Sequence, residues 1–262
     1  MRFDLASITD KGGRRGNEDR LALVDHARLV AGVVADGAGG HGGGDVAAQL
    51  VVDSVSGALR ERAARGAQID SDALADALVD ANRAIVMAQA EGGALARMRS
   101  TAAVLAIDPV ARRALWAHCG DTRIYCFRQG RTAWQTIDHS MVQRLVDAKL
   151  LAPGEMRGHP LRSVLLAALG TQEALDVQAA RVPFPISDGD VFLVCSDGFW
   201  EHVDEAAMIE CIGQAADAEG WLAVLAARVR SVAPPRADNL SAVAVWVGAP
   251  REATVLGGWG AR

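Results

Sequence analysis

The stretch Val30–Asp45, VAGVVADGAGGHGGGD, changes character at Asp36-Gly37. An apolar run ends there, a glycine-rich segment containing His41 follows, and Asp45 then opens a helical pattern. The pattern predicts a buried strand that delivers one carboxylate to its end, beside a backbone bare enough for an ion or anion to approach closely. Taken alone, the same residues suit an ordinary Asp-Gly turn equally well.

Composition excludes two broad classes of protein. Of the 262 residues, 50% are hydrophobic, enough for a sizeable core, and the formal net charge is −5. Acids and bases are mixed along the chain without the basic stripe of a nucleic-acid binder, so we expect no nucleic-acid partner. No apolar run approaches the roughly 18 residues of a membrane span, and the N-terminus lacks the apolar core of a secretory signal. We therefore expect a cytoplasmic protein with no membrane span.

The four cysteines, Cys119, Cys126, Cys195 and Cys211, lie in apolar patterns and show no CxxC spacing. This distribution disfavours a disulfide framework or a zinc site and predicts buried, reduced thiols. No linker divides the chain, although its length alone would also allow two small domains. We predict one domain over residues 1–250, a mobile C-terminal tail over residues 251–262, and a monomer.

Hydrophobic periodicity divides the chain into strands and pairs of helices. Predicted strands are Phe3–Thr9, Leu21–Val24, Leu29–Ala35, Thr101–Ile107, Ala114–His118, Arg123–Phe127, Thr132–Ile137, Val164–Leu169, Leu175–Val182, Val191–Cys195 and Leu240–Val247. Predicted helices are Asp45–Arg65, Asp72–Ala90 with Ser71 as its cap, Ser140–Lys149, Phe199–Gly213 and Trp221–Val232. This order does not alternate strand and helix, which argues against a parallel doubly wound sheet. We predict an α+β fold: two antiparallel sheets packed face to face, helix pairs outside, and a small exposed flap near residues 138–162.

Several carboxylates follow or precede the predicted buried strands. Asp36 and Asp197 each end an apolar strand, and Asp238 stands just before the last one. An antiparallel neighbour would place that start beside the two ends, so the three side chains are expected at one rim. Asp121, Glu18 and Asp19 are further candidates, whereas Asp188-Gly189 precedes its strand and is most simply a turn.

A group of carboxylates at one rim would repel strongly without cations. All-oxygen sites suit Mg²⁺ or Mn²⁺ rather than Zn²⁺. Two such ions can share a carboxylate and a bridging water, lower the pKa of that water and neutralise charge on a phosphoryl group. Arg14 or Arg15 could bind the phosphate oxygens through two parallel hydrogen bonds. The chemistry indicated is metal-assisted hydrolysis of a phosphate ester, although each Asp taken separately could be a turn or a helix cap.

Seven short motifs together resemble those of the metal-dependent Ser/Thr protein phosphatases, the PP2C or PPM family, in its bacterial stand-alone form. They are RRGNED from Arg14 to Asp19, VADGAGGH from Val34 to His41, Ser100-Thr101, CGDTRIY from Cys119 to Tyr125, Asp138-His139-Ser140, CSDGFW from Cys195 to Trp200, and DNLS from Asp238 to Ser241. The resemblance covers nearly the whole chain, and the fold it implies is an α-β-β-α sandwich.

The resemblance implies roles for particular residues. Arg14 would bind phosphate, and Asp36 would bridge two Mn²⁺ or Mg²⁺ ions. The other implied metal contacts are Glu18, Asp19, the Gly37 carbonyl, Asp197 and Asp238, with Asp121 holding a third, weaker ion. His41 would either donate a proton to the leaving alkoxide or only order its loop.

The chain departs from the family pattern at three positions without losing an implied metal ligand. Ala38 replaces the usual Met, Asp45 stands where Glu is common, and Arg99 occupies the position of a Gly that often precedes Ser-Thr. The last change is expected to alter a turn.

The function implied by the resemblance is removal of phosphate from phosphoserine and phosphothreonine in proteins, opposing a cognate bacterial Ser/Thr kinase. Two alternatives stay open at this point: a catalytically silent module that binds phosphoproteins, and a hydrolase of small phosphoesters. The substrate and the pathway stay open too, type VI secretion signalling being one possible setting.

Overall fold

The computed structural model describes residues 1–38 and 42–248. Its strands are β1 (Phe3–Asp10), β2 (Arg20–His26), β3 (Leu29–Ala35), β4 (Gly37–Ala38), β5 (Arg99–Ser100), β6 (Ala102–Asp108), β7 (Arg113–Cys119), β8 (Arg123–Arg128), β9 (Arg131–Gln135), β10 (Gln178–Ala179), β11 (Phe184–Pro185), β12 (Val191–Cys195) and β13 (Leu240–Val247). Its helices are α1 (Gly44–Arg65), α2 (Ser71–Gln89), α3 (Met141–Asp147), α4 (Asp197–Trp200), α5 (Glu205–Gln214) and α6 (Ala218–Val232), with short 3-10 turns at Gly93–Leu95 and Pro153–Gly158.

Two antiparallel sheets form the centre of the molecule. One has the order β1-β13-β12-β8-β9, and the other β10-β7-β6-β3-β2 with β11 also paired to β7. Strands β3 and β13 are buried along their whole length, because each lies within its sheet and is covered on both faces. At Gly32 the two sheets come so close that a Cβ atom would lie 2.6 Å from Cγ1 of Val243.

Helices cover the outer face of each sheet. The buried side chains of α1 and α2 pack on β3, β6 and β7, and those of α5 and α6 pack on β8, β12 and β13. A third apolar cluster fills the space between the sheets. The four-layer α-β-β-α sandwich predicted from the periodicity is therefore confirmed, as are the buried, unpaired cysteines.

Two predicted strands in the second half are wrong. Across Val164–Leu169 and Leu175–Val182 the structure has only isolated bridges, Ser100 with Leu169 and Ser140 with Leu165, and the two-residue strand β10. Val164 and Leu166 are each more than 40% exposed. The apolar periodicity of these residues is typical of a strand, but the side chains are not buried in a sheet.

Local hydrogen bonds move two helix boundaries. The predicted helix Phe199–Gly213 is divided into α4 and α5, because Asp204 accepts a hydrogen bond from the backbone N–H of Ala207 at 2.8 Å and starts a new helix. Asp70 rather than Ser71 caps α2, and the Ser71 hydroxyl donates instead to the carbonyl of Ala180.

The predicted flap contains α3 and the 3-10 turn and is fastened to the helical layer. Arg157 forms an ion pair with Glu205 at 2.8 Å, and Arg162 forms one with Glu201 at 2.8 Å. The flap segment therefore has fixed contacts near α4. The predicted tail at residues 251–262 lies outside the described residues. Among the described residues no helix is long and apolar enough to cross a bilayer.

A buried ion pair joins β8 to the start of the flap. The Arg123 guanidinium donates to both carboxylate oxygens of Asp138, at 2.8 and 2.7 Å, and lies 3.6 Å from the ring centroid of Trp200. Its third nitrogen donates to the Tyr125 hydroxyl at 3.0 Å. Because both charged side chains are about 95% or more buried, removing one partner leaves an uncompensated charge.

We predict that Asp138→Asn lowers the free energy of unfolding by about 3–5 kcal/mol, the cost of leaving a buried charge without its partner. Asp80→Asn is the matched control, since its ion pair with Arg83 is exposed and should contribute less than about 1 kcal/mol. Urea unfolding of both variants measures the difference. Equal losses in the two variants would contradict the assignment.

His118 on β7 is buried and stacks on His139, with ring centroids 4.8 Å apart. Burial, and then the neighbouring His139, lowers the pKa of His118 from its ordinary 6.5 to about 4. As the pH falls from 6.5 to 4, the unfolded chain therefore takes up this proton before the folded protein does. His118 consequently favours unfolding more strongly through that interval.

We predict that between pH 7 and pH 5 the unfolding free energy of the parent protein falls by about 2 kcal/mol more than that of His118→Phe. Comparing pH slopes rather than absolute stabilities removes the effect of lost packing and of the other titrating groups. His26→Gln, at the exposed last residue of β2, should keep the parent slope. A parent slope in His118→Phe would refute the assignment.

Candidate metal centre

Strand topology brings the predicted carboxylates to one end of the sandwich. Asp36 directly follows β3, Asp197 begins α4 two residues after β12, and Asp238 lies two residues before β13. Because β12 and β13 are antiparallel, with Cys195 opposite Ala242, the end of one strand lies beside the start of the other.

These residues surround a cavity of about 820 Å³. Of the predicted site residues, those lining it are Arg14, Glu18, Asp36, Gly37, Asp121, Asp197 and Asp238. Asp19 is buried beneath them, with 2% of its surface exposed. Arg15 and Ser163, the latter directly after the flap segment, also line the cavity. His41 lies outside the described residues.

Burial and mutual repulsion both oppose ionisation of the carboxylates around the cavity. Burial raises the pKa of Asp36 well above its usual range, and the charges of Asp19, Asp197, Asp121 and Asp238 raise it further. Burial likewise raises the pKa of Asp197, with Asp121 and Asp238 as the next contributors. Burial, followed by the charge of Asp138, raises the pKa of Asp121 to about 7. The carboxylates are therefore close enough to oppose one another's ionisation.

Two buried carboxylate oxygens lack a hydrogen-bond donor among the described residues: Oδ1 of Asp19 and Oδ1 of Asp197. The other oxygen of Asp19 accepts a hydrogen bond from the Ser196 hydroxyl at 2.8 Å. Buried acceptors without donors are costly and call for a positive partner. An oxygen-only donor set of this kind fits a hard divalent cation such as Mg²⁺ or Mn²⁺.

The carboxylate side chains around the cavity do not form a compact coordination shell. In the part of the chain that the structure describes, no group of three His, Cys, Asp or Glu side chains is placed to hold an ion. Mg²⁺ is usually bound through only one or two carboxylates and keeps several waters. Carboxylates spread around a wide cavity fit that mode of binding better than an all-protein cage.

Arg14 contacts the cluster directly. Its guanidinium donates to Oδ2 of Asp238 at 2.5 Å, and both side chains are more than one-third exposed. The residue predicted to bind phosphate therefore pairs with a predicted metal ligand. To engage a phosphate with both of its terminal nitrogens, the guanidinium has to turn away from Asp238.

Backbone packing at Gly37 leaves no room for a side chain. A Cβ atom there would lie 2.1 Å from the carbonyl oxygen of Gly44 and 2.8 Å from that of Glu18. A Cβ on Gly44 would in turn lie 2.9 Å from the Glu18 carboxylate. The glycines thus let β4, the start of α1 and the Glu18 side chain share one tight corner of the cavity.

Asn239 is a positioning residue to which the sequence patterns assigned no role. Its Oδ1 accepts a hydrogen bond from the backbone N–H of Glu18 at 2.8 Å. Its Nδ2 donates to the carbonyls of Lys11 and Gly16, at 2.7 and 2.9 Å. Asn239 therefore fixes the loop that carries Arg14 and Glu18. Its place directly after Asp238 is the one sequence signal that could have indicated this.

Hydroxyl groups form hydrogen bonds with the backbone of Asp36 and with the carboxylate of Asp19. The backbone N–H of Asp36 donates to Oγ1 of Thr101 at 3.2 Å, and the Ser100 hydroxyl donates to the Asp36 carbonyl at 3.1 Å. The Ser196 hydroxyl that donates to Asp19 also accepts from the backbone N–H of Ser241 at 3.0 Å. These bonds fix the carboxylate positions by tertiary contacts between different strands.

The family model for protein phosphatase 2C matches residues 14–242. The serine/threonine phosphatase Stp of Listeria innocua is 32% identical over 78% of this chain and 76% of its own length. The phosphatase PstP of Mycobacterium tuberculosis is 33% identical over 91% of this chain, which spans 44% of the full PstP sequence.

Solved structures agree with these matches. The catalytic domain of PstP in complex with two manganese ions is 29% identical, with a TM-score of 0.73 over 94% of this chain and 98% of that one. PppA, a regulatory component of type VI secretion in Pseudomonas aeruginosa, is 30% identical, with a TM-score of 0.72 over 94% and 98% of the two chains. The matched range contains every predicted metal ligand, and the chain belongs to the protein phosphatase 2C family.

Proposed function

We propose that this protein is a metal-dependent phosphatase that hydrolyses phosphoserine and phosphothreonine in proteins. The family match and the relatives of known activity confirm the class of enzyme expected from the motifs. The observation that carries the proposal for this site is the pair of donorless, buried oxygens on Asp19 and Asp197, among carboxylates that raise one another's pKa. Cations would relieve both costs.

The residues proposed to hold two Mn²⁺ or Mg²⁺ ions are Glu18, Asp19, Asp36, the carbonyl of Gly37, Asp197 and Asp238. Asp121 is proposed to hold a third, weaker ion. Bound there, the ions would lower the pKa of a shared water and neutralise charge on the phosphoryl group. The two manganese ions in the PstP complex support this assignment.

The chain's own residues would bind and orient the phosphate group. Arg14 and Arg15 both line the cavity, and a guanidinium can donate two parallel hydrogen bonds to phosphate oxygens. Asn239 holds the Arg14 loop in place through its bonds to Lys11 and Gly16. His41 stays a candidate either for proton donation to the leaving alkoxide or for ordering its loop.

Two alternative functions fit less well. A silent binding module is disfavoured because every residue proposed as a metal ligand is the one that the family pattern has at that position. A small-phosphoester hydrolase would share this chemistry and is separated only by substrate tests. We further propose a cytoplasmic monomer that acts on phosphoproteins, including a cognate Ser/Thr kinase. The four buried, unpaired cysteines support a reducing compartment.

We predict that hydrolysis of a phosphothreonine peptide requires Mn²⁺ or Mg²⁺ and stops in EDTA. Asp36→Asn should lower kcat/KM by at least about a hundredfold, because loss of a ligand costs more than the 10–100-fold typical of residues that only support a ligand. Asp80→Asn, an exposed change of the same kind, should leave the rate unchanged. Hydrolysis that continues in EDTA would rule out the metal-dependent mechanism.

Metal binding has a second readout that is independent of turnover. An ion that binds only the folded protein stabilises it by about 2.7 kcal/mol at a concentration of 100 times its Kd. We expect Mn²⁺ to raise the melting temperature of the parent protein and to raise that of Asp36→Asn much less. An equal rise in both proteins would exclude Asp36 as a ligand.

We predict that Arg14→Ala raises KM for the phosphopeptide and lowers kcat/KM by about 10–100-fold, the effect of losing hydrogen bonds to a charged group. Arg14→Lys should recover little of the loss, since an ammonium group cannot donate the two parallel bonds. The Mn²⁺-induced rise in melting temperature should persist in both variants. Arg14 has no phosphate-binding role if steady-state kinetics show that both KM and kcat/KM are unchanged.

A further inference from the structure

A second depression adjoins the catalytic cavity. It has a volume of about 380 Å³ and shares two lining residues, Ala38 and Leu165, with the larger cavity. Its floor is apolar and consists of Leu165, Leu166, Ala167, Ala168, Ala174 and Leu175. Small alanine side chains leave the space open, and Leu166 is 45% exposed. Because the two cavities meet at Ala38 and Leu165, a substrate bound in the larger one could extend directly into the depression.

Polar side chains of α2 bond to the backbone at and next to two residues that line the depression, Thr171 and Arg99. Nε2 of Gln89 donates to the carbonyls of Met98 and Gly170, each at 2.9 Å. Oδ1 of the buried Asn82 accepts from the backbone N–H groups of Gly170 and Thr171, at 2.7 and 3.0 Å, and Nδ2 donates to the Thr171 carbonyl at 3.0 Å. These bonds pre-organise the backbone, so a ligand would spend little binding free energy on ordering it.

The segment that contains Arg99 is hydrogen-bonded to the segment that contains Asp36. In the short ladder of β4 and β5, Gly37 lies opposite Ser100 and Ala38 lies opposite Arg99. The backbone N–H of Thr101 donates to the Asp36 carbonyl at 2.8 Å. Arg99, which lines the depression, is therefore held in register with the segment that carries Asp36.

Charge is distributed unevenly around the rim. The Arg99 guanidinium has one long hydrogen bond, 3.4 Å to the carbonyl of Met98, and among the described residues it takes part in none of the ion pairs. Glu173 and Asp176 line the depression from the loop that follows Thr171. An acidic group of a substrate would therefore have one cationic partner in the depression, Arg99, which lies opposite Ala38 at the edge shared with the larger cavity.

We propose that this depression is a peptide subsite, which accepts an apolar side chain near the phosphorylated residue of a protein substrate and favours an acidic residue beside it through Arg99. This inference rests on the proposed phosphatase function and narrows its substrate class. A small phosphoester would leave the apolar floor in water, whereas a peptide side chain would cover it. Burial of a leucine side chain is enough to raise kcat/KM about tenfold.

A leucine walk tests the subsite. A phosphothreonine peptide with serine on both sides is compared with peptides in which one leucine occupies each neighbouring position in turn, all with Mn²⁺. We expect leucine at one position to raise kcat/KM about tenfold in the parent protein. Ala174→Phe, at an exposed position on the floor, should reduce that ratio to nearly one, while Ala64→Phe on the exposed face of α1 should preserve it.

The charge preference is measured with the leucine peptide that reacts fastest. A glutamate or a lysine is placed next to the leucine, and the ratio of the two kcat/KM values is recorded. We expect the parent protein to prefer glutamate and Arg99→Glu to prefer lysine. Arg97→Glu, the same change at an exposed position two residues away, should keep the parent preference.

Hydrolysis of p-nitrophenyl phosphate in the same buffer separates the two hypotheses. If the parent protein hydrolyses both this ester and the all-serine peptide but leucine has no effect at any position, or an equal effect in Ala174→Phe, the subsite is excluded and the phosphatase function stands. If the parent protein hydrolyses neither the ester nor any peptide, the proposed function itself fails. Leu166→Glu, which charges the floor at an exposed position, gives a second reading and should also abolish the leucine effect.

Discussion

Repulsion between buried carboxylates at one end of the sandwich is the constraint on which the rest of the site depends. Asp36 and Asp197 each directly follow or lie close behind a buried strand, and burial together with the charges of neighbouring acids raises the pKa of both. Such a cluster lowers the stability of the fold, so the surrounding structure has to hold it in place. Hydroxyls of Ser196 and Thr101, and the amide of Asn239, supply hydrogen bonds that tie the acidic loops to neighbouring strands.

Sequence patterns predicted the sheets well where burial is continuous. Val191–Cys195 and Leu240–Val247 were predicted with their observed bounds, because strands covered on both faces consist of apolar residues throughout. The same reasoning failed at Val164–Leu169, where the exposed residues Val164 and Leu166 make isolated backbone hydrogen bonds instead of a strand ladder. Apolar composition cannot distinguish a buried strand from a loop that lines a surface depression.

Predictions of the site succeeded best for carboxylates that stand directly beside a predicted strand. Asp36, Asp197 and Asp238 could be placed at one rim from strand order alone, because antiparallel neighbours put starts beside ends. The pairing of Arg14 with Asp238 could not be predicted, since it joins residues 224 positions apart through side chains. Asn239 was missed for the same reason, because its three partners lie in the loop from Lys11 to Glu18.

The failed strand prediction and the departure at Arg99 concern the same surface. Segment 164–169 stays out of both sheets, and its half-buried Leu165 and exposed Leu166 line the depression that Arg99 borders. Had Leu165 and Leu166 been paired in a regular strand beside β7, their side chains would have been divided between two faces. In the loop that the structure shows, Leu165 and Leu166 both line one depression, and Asn82 and Gln89 hold Gly170 just after the segment. The departure from strand geometry is therefore what makes an apolar surface available next to the carboxylate-lined cavity.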